Sequence, residues 1–484
     1  MFGGFGSLPK GKNSDDKKLG VVKPSITPAK PEGSPSPSKG NVTPESVIRV
    51  TPGVAGPGGF IPMGKVDASV SPGTVGKKEP DLMGPQVLSV RYRGNIYKYW
   101  NTRKDFDLAR SEGRVGIRWV APIFDESGYG EACRNYIAAI ASTGFPITTR
   151  PISFGEPSTD YGLPGRVSMR TLNLGHPFAI NLVYSPPHFF KDHKDPAAYN
   201  IGMFVWEMNS MPGEWVAACN QMNEIWVPCE WNAKVCVSSG VKVPVRVFGH
   251  CVAPDEYNGI QPIAIPNCDG LYKFYSIFQW SSRKNPQGLL RAYLRAFTNN
   301  DPVILLLKTY GQKYVASEER KVREEIEQIR REVGGSQPKV LLITKMLSKA
   351  QILGLHKLGD CFFLPHRAEG WGLPHFEACM AGKPVITTNY GGNLEFTKPE
   401  HSYLVPSRPI HVSGMEWFKW FTPDMTWADA DVNSCINALR HVYEHRDEAA
   451  AKGQAARDFV MKTFNWLTVG GAMKGRILEI LRTL

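Results

Sequence analysis

The stretch DCFFLPHRAEGWGLPHFEACMAGKPVITTN, Asp360–Asn389, sets the fold class. Asp360–Pro365 reads as a short apolar strand that ends at a proline. His366–Leu373 follows as a loop at the strand's carboxyl end. Pro374 suits the first turn of a helix, where a missing N–H costs nothing. Gly382 falls where a helix commonly ends in a left-handed residue. KPVITTN, Lys383–Asn389, is then the next buried strand. Strand, loop, helix and strand in that order make a βαβ unit, the element of a parallel sheet.

The same alternation extends outward on both sides. Leu271–Trp280, Pro302–Thr309 and Lys339–Lys345 read as strands, separated by helical stretches at Asn285–Phe297, Ser317–Gly335 and Ser348–Gly359. Nearer the N-terminus, strands are expected at Arg114–Phe124, Pro146–Ser153, Ala179–Pro186, Ile201–Met208, Glu224–Pro228 and Pro244–His250. Helices are expected at Glu131–Ser142, Gly213–Met222 and Glu230–Gly240. Between the two series lies CVAPDEYNGIQPIAIPNCDG, residues 251–270, whose proline, glycine and asparagine mark a hinge. The expectation is an α/β protein of two Rossmann-like, doubly wound domains facing a cleft. Its domains would span 86–258 and 259–430, with closing helices at 431–484 packing back across them. A helical tract is expected after Trp427. Ligands of such sheets bind outside the carboxyl ends of the strands.

Composition narrows the class. The chain has 484 residues, too many for one core. Residues 1–85 hold 13 of the 38 prolines and 15 of the 47 glycines, which implies a disordered tail, a linker or a tether. No run of 18 apolar residues occurs, and the N-terminus lacks an apolar signal core. The nine cysteines form no C-x-x-C pair and sit in apolar segments, as free buried thiols of a reducing compartment would. A zinc site would need clustered ligands, and none is expected. The net charge of +12 suits an anionic partner. The tail lacks the aromatic–basic interleaving of a nucleic-acid binder, so no nucleic acid is expected.

The loop and helix of the opening stretch carry the chemistry. A helix start presents unsatisfied N–H groups to an anion. Gly370 and Gly372 let backbone approach a ligand closely. Glu369 in the loop and Glu377 one turn into the helix can reach different parts of one polyol, because carboxylates accept from paired hydroxyls. Two surface glutamates at a plain strand–loop–helix junction fit the spacing equally.

The E-x7-E pattern of Glu369 and Glu377 within EGWGLPHFEACMAGKPVITT resembles the signature of retaining glycosyltransferases of family 4 (glycosyl transferases group 1), which have the GT-B fold. NYGGNLEF (389–396) and the C-terminal WADADVNSCINALRHVYEHRDEAAAKGQAARDFV (427–460) add to the likeness. RKNPQGLLRAY (283–293) resembles a subgroup with a recurring R-K-N-P segment, as does VWEMNSMPGEWVAACNQMNEIWVPCEWNAKV (205–235). The resemblance runs from about Gly113 to Leu484.

The resemblance implies transfer of a sugar from a nucleotide diphosphate donor to a hydroxyl acceptor, a glycan or a lipid-linked or protein-linked molecule, with retention. Glu377 would hold the donor ribose and Glu369 the donor sugar, in a catalytic role. Gly370, Trp371, Gly372 and Leu373 would line sugar and diphosphate. Arg283 and Lys284 would neutralise the diphosphate, where charge builds as the glycosidic bond breaks. The loop DESGYGEACRN (125–135) resembles the family's N-terminal glycine loop, with Gly128 and Gly130 near donor or acceptor; any tight turn uses glycine too. His188, ending a first-domain strand, reads as a catalytic polar group beside the sugar or as structural. His366 flanks the donor loop with His375. Lys308 ends a strand and faces the cleft or the surface. No cofactor and no metal are expected, the nucleotide sugar being a substrate. A cytoplasmic location, with peripheral membrane contact through basic patches, is the matching expectation.

Two positions depart from the family pattern. Gln279 stands where an arginine is common, and PCEW (228–231) replaces a block of smaller residues. The rival reading is a non-catalytic nucleotide-sugar or carbohydrate-binding protein on the same scaffold, attached to an assembly by its tail.

Overall fold

The computed structural model describes residues 115–125, 127–154, 178–253, 255–311 and 315–484, together with the backbone pairing of two short strands. These are β1 (Ser89–Tyr92) and β2 (Asn95–Lys98), which pair antiparallel. The expected tail, residues 1–85, lies outside the described residues.

The first half alternates strand and helix: β3 (Gly116–Ala121), α1 (Gly128–Ser142), β4 (Ile147–Pro151), β5 (Phe178–Tyr184), α2 (Phe190–His193), β6 (Tyr199–Met203), α3 (Gly213–Cys219), β7 (Glu224–Val227), α4 (Glu230–Ser238) and β8 (Val245–Val247). Its six strands run parallel in the order β4-β3-β5-β6-β7-β8. All seven residues of β5 are buried, the continuous apolar pattern of a strand covered on both faces.

The second half repeats the plan with β9 (Tyr272–Gln279), α5 (Pro286–Ala296), β10 (Val303–Tyr310), α6 (Ala316–Val333), β11 (Lys339–Ile343), α7 (Lys349–Leu358), β12 (Cys361–Leu364), α8 (Leu373–Met380), β13 (Val385–Thr388) and β14 (Tyr403–Val405). Its six parallel strands are ordered β11-β10-β9-β12-β13-β14. The opening stretch is β12–loop–α8–β13. Gly382 has φ of 73° just past α8, and the Lys383 N–H donates to the Ala378 carbonyl at 3.0 Å. Alanine at 382 would have to adopt that strained conformation.

An antiparallel hairpin follows, β15 (Ser407–His411) and β16 (Thr426–Ala430). Trp427, expected to precede a helical tract directly, lies within β16. The hairpin extends the second half in sequence but shares its core with the first. Met415, Phe421 and Trp427 cluster with Trp206, Met208 and Trp215. Thr426 N–H donates to Asn209 Oδ1 at 2.7 Å.

Three helices close the chain: α9 (Val432–Glu444), α10 (Arg446–Thr463) and α11 (Trp466–Thr483). Helix α11 returns to the first half and packs on α1. A Cβ at Gly470 would meet the Ala139 carbonyl at 2.2 Å, so the two backbones touch. Met473, Ile477 and Ile480 bury their side chains among Tyr136, Ile137 and Ile140. Burial of each such side chain contributes about 1.5–3 kcal/mol. Arg476 locks the helix by gripping Glu224, a fully buried carboxylate at the start of β7, with Nε–O distances of 3.1 and 3.2 Å.

The chain passes between halves twice, at Cys251–Ala253 and at Phe464–Trp466. The two passages hold each other. Val252 N–H donates to the Phe464 carbonyl, and Trp466 N–H to the Val252 carbonyl, both at 3.2 Å. The expected 251–270 hinge thus begins as half of a bridged pair. All nine cysteines are free and buried. Among the described residues no helix is long and apolar enough to cross a membrane.

Candidate functional site

The site is built at the carboxyl ends of β9 and β12, adjacent in the second sheet. After β9 the chain makes a tight turn at Ser282–Lys284 and enters α5 through Asn285, which has φ of 55°. Asparagine tolerates that left-handed conformation because its short side chain bonds locally. Its Oδ1 accepts from Gly288 N–H at 3.2 Å, capping the helix, while Nδ2 donates to the Pro365 carbonyl at 2.9 Å. One side chain therefore starts a helix and joins the turn to the loop after β12. Arg367 N–H donates to the Arg283 carbonyl at 2.8 Å and completes the join.

Arg283, Lys284 and Glu369 meet as a result. Lys284 Nζ donates to Glu369 Oε1. Arg283 Nη1 lies 3.3 Å from Glu369 Oε2, 2.9 Å from the Ala368 carbonyl and 3.7 Å from Glu207 of the first half. Gly392 N–H donates to the Glu369 carbonyl at 2.7 Å, fixing the loop from the other side. Burial opposes ionisation of Glu369, but Lys284 and Arg283 outweigh it and hold the carboxyl well below the usual carboxylate range. Burial, with Arg283 adding to it, brings Lys284 down to about 8, against the pull of Glu369. Two cations and two carboxylates gather here, Glu207 half-buried and the others buried, so the group carries little net charge.

These residues face a cleft between the halves. The second half contributes Arg283, Lys284, Glu369 and the run Gly370–Leu373. The first half contributes Gly128, Tyr129, Glu207 and His250. The hairpin contributes Met415, Trp417, Phe418 and Phe421. Gly372 caps α8 with φ of 92°, a conformation that favours glycine. Gly370 is glycine for a further reason: a Cβ there would meet Val205 Cγ1 at 2.3 Å and the Trp206 carbonyl at 2.8 Å. The first half itself fills the room that sequence reading assigned to a ligand.

The remaining expected residues fall elsewhere. Glu377 is a buried residue of α8 and is not among the residues that line the cleft. Its carboxylate receives Lys349 Nζ at 2.6 Å and lies 3.3 Å from His356 Nε2. Burial opposes its ionisation, yet Lys349 and His356 bring it to about 2. His366 is fully buried beside His375, their rings 5.2 Å apart, and burial keeps both neutral, His375 at about 4. His188 does not line the cleft: its ring stacks on Trp215 and Trp420 at 5.6 and 4.9 Å, and burial lowers it to about 4. Lys308 is buried beside the Tyr310 ring, and burial lowers it to about 8.

Gly128 and Gly130 form the first turn of α1, where a loop was expected. Ser127 caps that helix by accepting from Gly130 N–H at 3.2 Å. A Cβ at Gly130 would meet the Asp125 carbonyl at 2.0 Å, so this glycine serves the turn. The two departures also find places. Gln279 donates to the Gly311 carbonyl at 3.3 Å, and Arg283 supplies the guanidinium of the site. Cys229 caps α4 in the role of a serine, accepting from Asn232 N–H at 3.4 Å, and its Sγ donates to the Gly370 carbonyl at 3.3 Å.

Sequence reading missed Glu207, His250 and the hairpin aromatics. The run GMEWFKWF, 414–421, was their visible signal: four aromatic residues in a loop need a surface to cover.

Residues 269–411 match the family model described as Glycosyl transferases group 1. No curated protein matches the chain. Among solved structures, sucrose-phosphate synthase from Thermosynechococcus elongatus is similar over 76% of this chain and 100% of its own, at 14% identity and a TM-score of 0.55. Anabaena HepE in complex with UDP and glucose is similar over 76% and 100%, at 14% identity and a TM-score of 0.51. These likenesses establish the GT-B fold, and the family match places a glycosyl transferases group 1 domain in the second half.

Proposed function

We propose that the protein is a retaining glycosyltransferase that moves a sugar from a nucleotide diphosphate donor to a hydroxyl of a glycan. The observation that carries this reading is the convergence of Arg283, Lys284 and Glu369 at adjacent strand ends, inside a cleft that both halves line. The donor diphosphate lies against Arg283, Lys284 and the start of α8, displacing Glu369 from its ion pairs. Glu369 then accepts from hydroxyls of the donor sugar, and the ribose reaches past the cleft lining to Glu377, exchanging there with Lys349.

Fixed cations favour the transition state because negative charge grows on the departing phosphate. In the same-face displacement, the acceptor oxygen bonds to the anomeric carbon as the bond to the phosphate oxygen breaks. The bonding pair leaves with the phosphate, which takes the acceptor proton. No enzyme nucleophile is used.

The hairpin supports a glycan acceptor. Trp417, Phe418 and Phe421 give the cleft aromatic lining in addition to the carboxylates of Glu207 and Glu369. A pyranose ring has apolar faces suited to the negative faces of aromatic rings and an edge of hydroxyls suited to carboxylates. The test is slow hydrolysis of UDP-glucose, UDP-N-acetylglucosamine and GDP-mannose by the purified protein. Release of nucleoside diphosphate from one of them supports transfer; none released, with none bound, defeats it.

A further inference from the structure

Lys349 is out of place by the usual rule of helix charges. It is the first residue of α7, and that first turn carries no acidic residue. The positive end of a helix dipole repels an ammonium there. Its surroundings supply the reason. Lys349 Nζ lies 2.6 Å from Glu377 Oε1, 3.0 Å from Glu131 Oε1 and 3.4 Å from Glu256 Oε1. Glu131 belongs to the first turn of α1 in the first half. Glu256 lies just after the passage at Cys251–Ala253, and Glu377 in α8 of the second half. The other groups facing the cluster are Arg134, 3.0 Å from Glu131 Oε2, and His356, which burial keeps neutral. Three carboxylates are thus balanced by two cations, and of these two Lys349 is the one that contacts both halves. Their side chains are 22%, 15% and 12% exposed for Glu131, Glu256 and Glu377, so screening is weak and repulsion without the lysine would be strong.

We infer that Lys349 is a positioning residue of the donor site, holding Glu377 of the second half and Glu131 of the first on one ammonium so that nucleotide binding and cleft closure are coupled. The inference rests on the ribose role proposed above for Glu377. Lys349 presents one Glu377 oxygen and keeps the anionic cluster from repelling an incoming nucleotide. A ribose that engages Glu377 draws on the contact that also ties down the first half.

The test uses the full chain as wild type, Lys349→Met, Lys349→Arg and Glu131→Gln. UDP and GDP are titrated calorimetrically, and small-angle scattering of each ligand-free protein gives its radius of gyration. Lys349→Met is expected to weaken binding by about tenfold or more and to enlarge the ligand-free radius. Lys349→Arg keeps the charge and is expected to stay within about threefold of wild type with an unchanged radius, which separates the role from misfolding. Glu131→Gln is expected to enlarge the radius without abolishing binding. Wild-type affinity in Lys349→Met overturns the inference. So does weakened binding at an unchanged radius, which would leave nothing tied across the cleft. If wild type binds neither nucleotide, the donor reading fails, and the radius of Lys349→Met still decides whether the lysine joins the halves.

Discussion

Lys284 donates through Nζ to Oε1 of Glu369, joining the turn after β9 to the loop after β12 within a buried group. In the proposed reading, the donor diphosphate replaces this ion pair. The roles of its two partners can therefore be separated.

Glu369→Gln should lower turnover by about 100-fold, since a charged acceptor aimed at the donor sugar is lost. UDP affinity should hold or rise, because Arg283 and Lys284 are released for the diphosphate. Steady-state kinetics beside calorimetry reads both. Equal losses of turnover and affinity would move Glu369 from the sugar to nucleotide binding.

Lys284 titrates at about 8 in the ligand-free protein, below its usual range. A bound diphosphate favours the ammonium and raises that value. Near pH 8 binding should then take up about half a proton, and affinity should fall as pH rises above 8. Calorimetry in buffers of different ionisation enthalpy counts the proton. No uptake would place the diphosphate away from Lys284.

Trp417 is 40% exposed and reaches the cleft from the hairpin. Trp417→Ala should raise KM for the acceptor about tenfold, as lost stacking contacts do, while UDP affinity stays at the wild-type value. Unfolding should shift by no more than about 0.5 kcal/mol, typical of an exposed site. A loss of UDP affinity instead would put the aromatic lining on the donor side.

Arg476→Met should destabilise the fold by about 1.5–3 kcal/mol, because the buried Glu224 carboxylate loses its nearest cation and keeps Trp226 Nε1 at 2.5 Å, the Tyr199 hydroxyl at 3.5 Å and Arg246 at 4.0 Å. Adding Glu224→Gln should restore part of the loss, since an amide costs less to bury. Denaturant unfolding of both variants measures the difference. An additive pair would mean that the contact between α11 and β7 contributes nothing as a pair.

The parallel sheets were legible because strands covered on both faces read as largely apolar runs, as in the Phe178–Tyr184 strand, where Asn181 is the polar exception. Arg283, Lys284 and Glu369 were assigned to one site through the family resemblance, and their pairing with one another had no local sequence signal. Other tertiary partners were no more legible. Glu377 looked free because Lys349, 28 positions away, gives no local sign of contact with it. Gly370 carries the general mark of close backbone approach, and sequence cannot tell a ligand from Val205 and Trp206. His250 and the hairpin aromatics come from connections, where local pattern is weakest. His188 lies among Trp215 and Trp420 because those rings converge only in the folded chain.

The twin passages at Val252 and Asn465 shape how the halves can move. Two covalent strands laced by mutual N–H···O bonds act as a flat strap: sliding or stretching would break the lacing, whereas flexing across its width would not. Such a strap would favour one soft direction, along which opening would part Gly370 from Trp206. Substrate entry would then follow a single rocking coordinate.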